Sequence, residues 1–177
     1  MTALVIVVVA FAAMEVVSYA SHRWLMHGPG MAWHRSHHHP PAGRFEKNDL
    51  FPLCFSTLGV AAFAAAALSE RLLVFRWIGL GMTLYGATYL FVHEIVIHGR
   101  VPLRIPARGY AKWLSDSHRI HHLFGGEPYG MLMPFVPRSL RERAGGAVRA
   151  PLDRSTRETR IRLKRWMAMN GRLTPTP

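Results

Sequence analysis

Histidine is the residue whose number and spacing first indicate chemistry in this chain. It occurs 11 times in 177 residues, and ten of these histidines form two kinds of pattern, a pair separated by four residues and a triplet of the form His-x2-His-His. A pair and then a triplet occur in that order twice. The pairs are His22 with His27 and His93 with His98, and the triplets are His34, His37 and His38, and His118, His121 and His122.

Helix geometry suggests how such patterns could bind metal. Positions i, i+3 and i+4 of an α-helix lie within an arc of about 100°, so each triplet can point at one centre. Positions i and i+5 lie about 140° apart, so each pair should flank a site rather than chelate one ion, unless the helix is distorted there. Two adjacent ions would accept that spread, with about five ligands each and a sixth octahedral position open for dioxygen or water.

The other residues narrow the class of metal site. The stretch from His93 to His98 is one residue longer than the zinc-protease motif, and no Glu-x-x-His occurs, which excludes a carboxylate-bridged bundle site. Cys54 is the single cysteine, which excludes cysteine-based zinc and iron–sulfur sites. Neutral nitrogen ligands suit iron, zinc, copper or nickel, and the residues alone do not select among them.

A few carboxylates near the patterns are candidates to accept the outer N–H of a ligand imidazole, as such partners do in metal sites. Asp116 could equally be a solvated residue, and Glu46 is a further carboxylate near the patterns. His39, which lies outside every pattern, should be satisfied by a lipid headgroup or a backbone carbonyl. The carboxylates predicted to accept such an N–H are Glu94, Asp116 and Asp49.

Three long apolar runs must position these residues, at about 2–20, 50–68 and 72–92. The first extends about 28 Å at 1.5 Å per residue, enough to cross a bilayer. It is interrupted only by Glu15, which should either face neighbouring helices or act near the substrate entrance or the metal site. A segment around 129–136 is too short to span but could be partly inserted. We therefore predict an all-α integral membrane protein of one domain, 1–177, with three or four transmembrane helices and a histidine-rich di-metal cap.

Charge predicts the orientation in the membrane. The chain carries 22 Lys and Arg against 10 Asp and Glu, a net charge of +12, and 20 of the basic residues lie on one side of the predicted spans. By the positive-inside rule, the amino terminus is outside, and the histidine clusters and carboxy terminus are cytoplasmic. Retention of basic residues on the cytoplasmic side and their contact with anionic lipid explain this positive charge, so nucleic-acid binding is not needed to account for it.

The basic tail 138–177 should form two short helices, opened by capping boxes at Ser139 and Ser155. These helices should rest on lipid or dock an acidic electron-transfer protein.

The location of the histidines argues further about function. Transporter ligands lie near mid-membrane, whereas these lie at the ends of the predicted spans. A site at the cytoplasmic boundary can meet a lipid-dissolved substrate from one side and a soluble reductant from the other. That placement favours an oxygen-activating enzyme that acts on hydrocarbon.

The motifs resemble those of the membrane-bound fatty acid hydroxylase and sterol desaturase superfamily, which is built on histidine boxes. Within it they are most similar to the bacterial β-carotene 3-hydroxylases. About two thirds of the chain takes part, and four boxes in this order are strongly specific. The matching stretches are 14–16, 22–28, 33–38, 45–50, 81–86, 93–98, 105–110 and 117–122. The chain departs from the family pattern at 39–43 and in a loop at 123–130 that is shortened by about four residues, which puts the substrate range in doubt.

The resemblance implies a non-haem di-iron monooxygenase, with the ten box histidines as ligands of two iron ions. It would use O2 and two electrons to hydroxylate carbon 3 of the carotenoid β-ionone ring, converting β-carotene to β-cryptoxanthin and zeaxanthin. Electrons would come from ferredoxin and its NAD(P)H reductase, because the chain has no Gly-x-Gly-x-x-Gly fingerprint and no cluster-binding cysteines. A fatty acyl or sterol substrate, a metal-binding membrane protein without oxygenase activity, and a haem-carrying electron-transfer protein remain alternatives.

Overall fold

The computed structural model describes residues 1–38, 45–101, 105 and 108–149. Every regular element in this part of the chain is helical, which confirms the all-α prediction. Short 3-10 turns at Lys47–Asp49 and Glu70–Leu72 precede two of the long helices. The α-helices are α1 (Thr2–Ala20), α2 (Met31–His34), α3 (Leu50–Leu68), α4 (Val74–Leu90), α5 (Gly109–Phe124) and α6 (Arg138–Arg149), with π-helices π1 (Ser21–Met26) and π2 (Phe91–Ile97) continuing α1 and α4.

Three continuous helical segments are long and apolar enough to cross a membrane, namely Thr2–Met26, Lys47–Leu68 and Glu70–Ile97. They agree with the three predicted apolar runs, and the third extends five residues past the predicted end at 92 because π2 continues it. The segment 129–136 contains no helix. The two histidine pairs thus lie where the first and third segments end, the first triplet lies between the first and second segments, and the second triplet lies in α5.

Small residues let the three long helices pack closely. α4 packs against both α1 and α3, and its glycines Gly79 and Gly81, about 200° apart on the helix, serve opposite faces. A Cβ at Gly81 would lie 2.6 Å from the Ala10 Cβ, and a Cβ at Gly79 would lie 3.2 Å from the Phe63 ring. Close backbone approach at small residues is the usual way membrane helices associate.

α5 packs against π2, at the histidine end of the third long segment. α5 ends at Gly125, whose φ of 68° is left-handed and whose N–H caps the helix on the His121 carbonyl. α6 packs on α5 through a small apolar cluster that contains Ile120, Val136 and Ala144. The buried face of α5 thereby presents its histidines to the ends of α1 and α4.

The predicted capping box at Ser139 is wrong. α6 begins at Arg138, and the Pro137 carbonyl accepts the Arg141 N–H at 3.1 Å, so Ser139 lies inside the first turn. The Glu142 carboxylate accepts a hydrogen bond from the Arg138 guanidinium at 2.8 Å, and not from the backbone N–H of Ser139 as a capping box would require. The second predicted helix of the tail, opened by Ser155, and His39 lie outside the described residues.

Candidate metal centre

Both histidine pairs with four intervening residues lie on π-helical turns. The His27 N–H donates to the His22 carbonyl at 3.1 Å, and the His98 N–H donates to the His93 carbonyl at 2.9 Å. A hydrogen bond from i+5 to i places those two residues one above the other. Their ring centroids are accordingly 5.2 Å apart in the first pair and 4.6 Å apart in the second. The exception allowed for a distorted helix therefore holds for both pairs, because each lies on a π-helical turn, and the two members of each pair face the same group.

Five imidazoles converge in what we call the first histidine group. Their ligand nitrogens all lie within 4.8 Å of one another. The Nε2 atoms of His22 and His34, of His27 and His121, and of His34 and His38 are each 3.1 Å apart. The members of the first histidine group are His22, His27, His34, His38 and His121.

Four more imidazoles form the second histidine group, with the same 4.8 Å spacing. Its Nε2 atoms approach to 3.1 Å between His93 and His37 and to 3.0 Å between His98 and His118. His122 lies beside this group, since its Nε2 is 2.8 Å from that of His118 and 3.1 Å from that of His37. The members of the second histidine group are His37, His93, His98 and His118.

The two triplets exchange their middle histidines. His37 lies with the second group, whereas His34 and His38 lie with the first; His121 lies in the first group, whereas His118 lies in the second. On a helical turn, positions i and i+4 point in nearly the same direction, whereas position i+3 points to one side of them. When two groups lie side by side, the i and i+4 histidines can therefore face one group while the i+3 histidine faces the other. The prediction that one triplet points at one centre is therefore wrong, and each group is built from both halves of the chain.

The outer ring nitrogens have partners that fix where the imidazole protons lie. The Nδ1–H of His22 donates to the Tyr129 carbonyl at 2.9 Å, and that of His121 donates to the Gly126 carbonyl at 2.6 Å. A carbonyl can only accept, so each Nδ1 carries the proton and each Nε2 lone pair points into the group. His34 and His93 are held likewise, by Asn48 Oδ1 at 2.8 Å and Glu94 Oε1 at 2.5 Å.

These neutral lone pairs make a cation the natural occupant of each group. Burial lowers the pKa of His27 and of His98 to about 4, and holds that of His121 well below its usual value. The imidazoles therefore stay neutral near pH 7. Lone pairs facing each other at 3.1 Å repel unless a positive ion lies between them, and neutral Nε2 atoms are ligands of transition metals. The donor set thus fits a bound metal in each group.

A layer of carboxylates joined by Arg100 lies behind the second histidine group. The guanidinium contacts Glu94 Oε2 at 2.8 Å, Asp49 Oδ1 at 2.8 Å and Glu46 Oε1 at 2.9 Å. Glu94 also accepts from His93, while the other oxygen of Glu46 lies 3.8 Å from His37 Nδ1. Of the carboxylates predicted to contact the histidines, Glu94 therefore contacts His93 directly, whereas Asp49 is joined to Glu94 through Arg100.

Asp116 lies elsewhere. Its carboxylate pairs with Lys112 one helical turn earlier, at 2.5 Å, and the Lys112 side chain is more than half exposed. This places Asp116 on the outer side of α5, as the solvated alternative expects.

Two kinds of contact were missed from the sequence. Asn48 holds His34, and the stretch 45–50 that contains it carried a signal only through the family resemblance. The carbonyls of Gly126 and Tyr129 are backbone groups, so the residue types at these positions do not predict that they accept hydrogen bonds from histidines.

Glu94 and Asp116 offer a matched pair of substitutions. Glu94→Ala removes the acceptor behind His93, and we expect metal affinity to fall by about 10- to 100-fold, the usual effect of losing such a partner. Asp116→Ala removes a carboxylate that pairs with Lys112 and belongs to neither histidine group, and it should leave metal affinity unchanged. Competition with a fluorescent chelator on detergent-purified protein measures both. Equal affinities in the two variants would show that the carboxylate behind His93 is dispensable.

Comparison with known proteins places most of the chain in a recognised group. The family model described as "Fatty acid hydroxylase" matches residues 7–141. A protein named "Beta-carotene hydroxylase" from a Paracoccus strain is 41% identical over 138 residues, covering 77% of this chain and 84% of that protein. One of the same name from Pantoea ananas is 39% identical over 157 residues, covering 84% and 89%. The "Beta-carotene 3-hydroxylase, chloroplastic" of Haematococcus lacustris is 35% identical over 164 residues, covering 81% and 46%. No solved structure matches the chain.

Proposed function

Because this chain belongs to the fatty acid hydroxylase family, we propose that it is a membrane oxygenase that hydroxylates carbon 3 of the carotenoid β-ionone ring. β-Carotene would be converted to β-cryptoxanthin and then to zeaxanthin. The names of the bacterial relatives, which are 39 to 41% identical over most of the chain, support this substrate. The observation that carries the proposal is the pair of imidazole groups whose Nε2 atoms face inward at the ends of three apolar helices.

We propose iron as the metal in both groups. The first histidine group would hold one ion and the second, with His122, would hold the other, giving five imidazoles to each. Iron held there would supply the O2 activation needed to break an unreactive ring C–H bond, which no side-chain acid, base or nucleophile can do. The protein's own part is to fix the imidazoles in the neutral Nδ1–H form, through the carbonyls, the Asn48 amide and the Glu94 carboxylate described above.

The location of the site suits a substrate dissolved in lipid. π1 and π2 continue α1 and α4 without a break, so His22 and His93 lie directly where the apolar spans end. A hydrocarbon ring can therefore reach the groups from the bilayer without crossing water. The basic residues support an orientation with the amino terminus outside and the histidines in the cytoplasm, at the bacterial inner membrane.

Ferredoxin and its NAD(P)H reductase are the proposed electron donors. α6 presents the basic side chains of Arg138, Arg141 and Arg143 on its exposed side, and such a surface suits an acidic protein as well as anionic lipid. Replacing the three with Gln should slow ferredoxin-dependent turnover if this surface receives the donor, and should leave it unchanged if the surface only contacts lipid.

Expression in bacteria that already accumulate β-carotene tests the proposed reaction. Chromatography of the pigments should show mono- and dihydroxylated products, and His118→Ala, which removes a buried member of the second group, should leave β-carotene unchanged. Unaltered pigment beside well-expressed wild-type protein would contradict the carotenoid assignment. Hydroxylated fatty acyl chains in the same cells would instead favour the substrate class that the family description names.

A further inference from the structure

Glu15 binds a loop that is far away in the sequence. It lies in α1, five residues before Ala20, which is about 8 Å below the end of the apolar run at 1.5 Å per residue. Its Oε1 accepts the consecutive backbone N–H groups of Met131, Leu132 and Met133, at 3.0, 2.9 and 2.9 Å. Its Oε2 accepts a second contact from the Leu132 N–H at 3.1 Å, together with the Tyr85 hydroxyl at 2.7 Å. A carboxylate inside a membrane span is rare unless its oxygens are bound, and here both are.

The same loop holds two metal-facing imidazoles. We call residues 125–137, between α5 and α6, the α5–α6 loop. Its Gly126 and Tyr129 carbonyls accept the Nδ1–H groups of His121 and His22, both in the first histidine group. The Tyr129 ring also lies against that group, with its centroid 5.3 Å from that of His22 and 5.1 Å from that of His27. The loop therefore connects the carboxylate in α1 to the orientation of the first histidine group.

The depth of Glu15 puts part of this loop at the level of the membrane. Irregular backbone is tolerated there only where its polar groups are bound within the protein. The Leu132 N–H is bound by Glu15, and the Leu132 carbonyl accepts from the Tyr110 hydroxyl. Met133 and Phe135, by contrast, leave 77% and 71% of their surface exposed. Bound backbone and exposed apolar side chains are what a segment dipping into lipid requires.

We propose that Glu15 is a positioning residue: its carboxylate anchors the membrane-inserted α5–α6 loop, and the anchored loop fixes His22 and His121 for the metal of the first histidine group. The link to metal rests on the proposed function; the anchoring itself does not. The second histidine group takes its outer partner from Glu94, on another element, so loss of the anchor should affect one group and spare the other.

Hydrogen exchange on metal-free protein in lipid nanodiscs tests the anchor. Glu15→Leu removes every acceptor, whereas Glu15→Gln keeps one oxygen that can still accept from the loop. Glu70→Gln, an exposed carboxyl at the far end of the spans, is the matched control. We expect the amides of 131–133 to exchange at least ~10-fold faster in Glu15→Leu, because they lose hydrogen bonds to a charged group, with an intermediate rate in Glu15→Gln. Wild-type rates in Glu15→Leu would overturn the anchor.

Iron bound per chain tests the effect on the histidines in the same variants. Glu15→Leu should retain about half of the wild-type iron, with partial recovery in Glu15→Gln, and Glu70→Gln should match the wild type. Faster exchange with unchanged iron would overturn the positioning role, since the loop would then be free without consequence for the ligands. If Glu15→Leu does not fold, Glu15→Gln decides by the same two readouts. A wild type that binds no iron would overturn the proposed function. The exchange rates would still show whether Glu15 holds the α5–α6 loop.

Discussion

Replacing His37 with alanine is expected to lower carotenoid hydroxylation by more than about 100-fold. His37 is buried, and its Nε2 lies 3.1 Å from those of His93 and His122 and 3.3 Å from that of His118. It is the residue that the first triplet contributes to the second histidine group. Losing even the partner behind a ligand costs about 10- to 100-fold in affinity or activity, and losing the ligand itself should cost more. Product formation in β-carotene-accumulating cells, normalised to protein, measures the effect.

The neighbouring histidine supplies the control. His39→Ala removes an imidazole two residues away that belongs to none of the four patterns, and it should retain most of the activity. Iron content should fall in His37→Ala and not in His39→Ala. Substantial hydroxylation by His37→Ala, or equal loss in both variants, would mean that the triplet does not supply the second group as its geometry indicates.

Removing iron is expected to abolish turnover, and restoring ferrous iron under reducing conditions should recover it. Each group consists of neutral imidazoles, which lose a metal to a strong chelator without any change in covalent structure. Zinc should bind the same nitrogens but restore no activity, because it has no redox chemistry. The measurement is conversion of β-carotene by purified protein with ferredoxin, its reductase and NAD(P)H.

Reconstitution with zinc is the informative comparison, since it separates loss of structure from loss of chemistry. Zinc-loaded protein should regain the thermal stability of the iron form while remaining inactive, because a ligand that binds only the folded state stabilises it. Turnover by metal-free or zinc-loaded protein would contradict an iron oxygenase.

Hydropathy and spacing were sufficient to predict the membrane helices and the residues that converge. An apolar run that is long enough to span a membrane can be identified from its length alone. The predicted runs 2–20 and 50–68 accordingly coincide with α1 and α3. Ten histidines in four patterns similarly predicted a shared site, and nine of them lie in the two groups with His122 beside the second.

The division of the histidines between the two groups could not be predicted, because it depends on how the backbone turns. The spacing of His22 and His27 places them apart on an α-helix and together on a π-helix. The residue types do not indicate which of the two helices forms. The exchange of His37 and His121 between the groups likewise follows from two sites lying side by side, which is a tertiary fact. The same holds for the loop held by Glu15, where backbone N–H groups donate the hydrogen bonds and any residue except proline could supply them.

Counting the iron in active protein purified from the membrane tests the central claim most directly. Two groups of inward-facing imidazoles predict about two iron ions per chain, with the number falling toward one in variants that disable a single group. Active protein that contains no iron, or that holds the same iron after His22, His27, His93 and His98 are all replaced by alanine, would contradict the account.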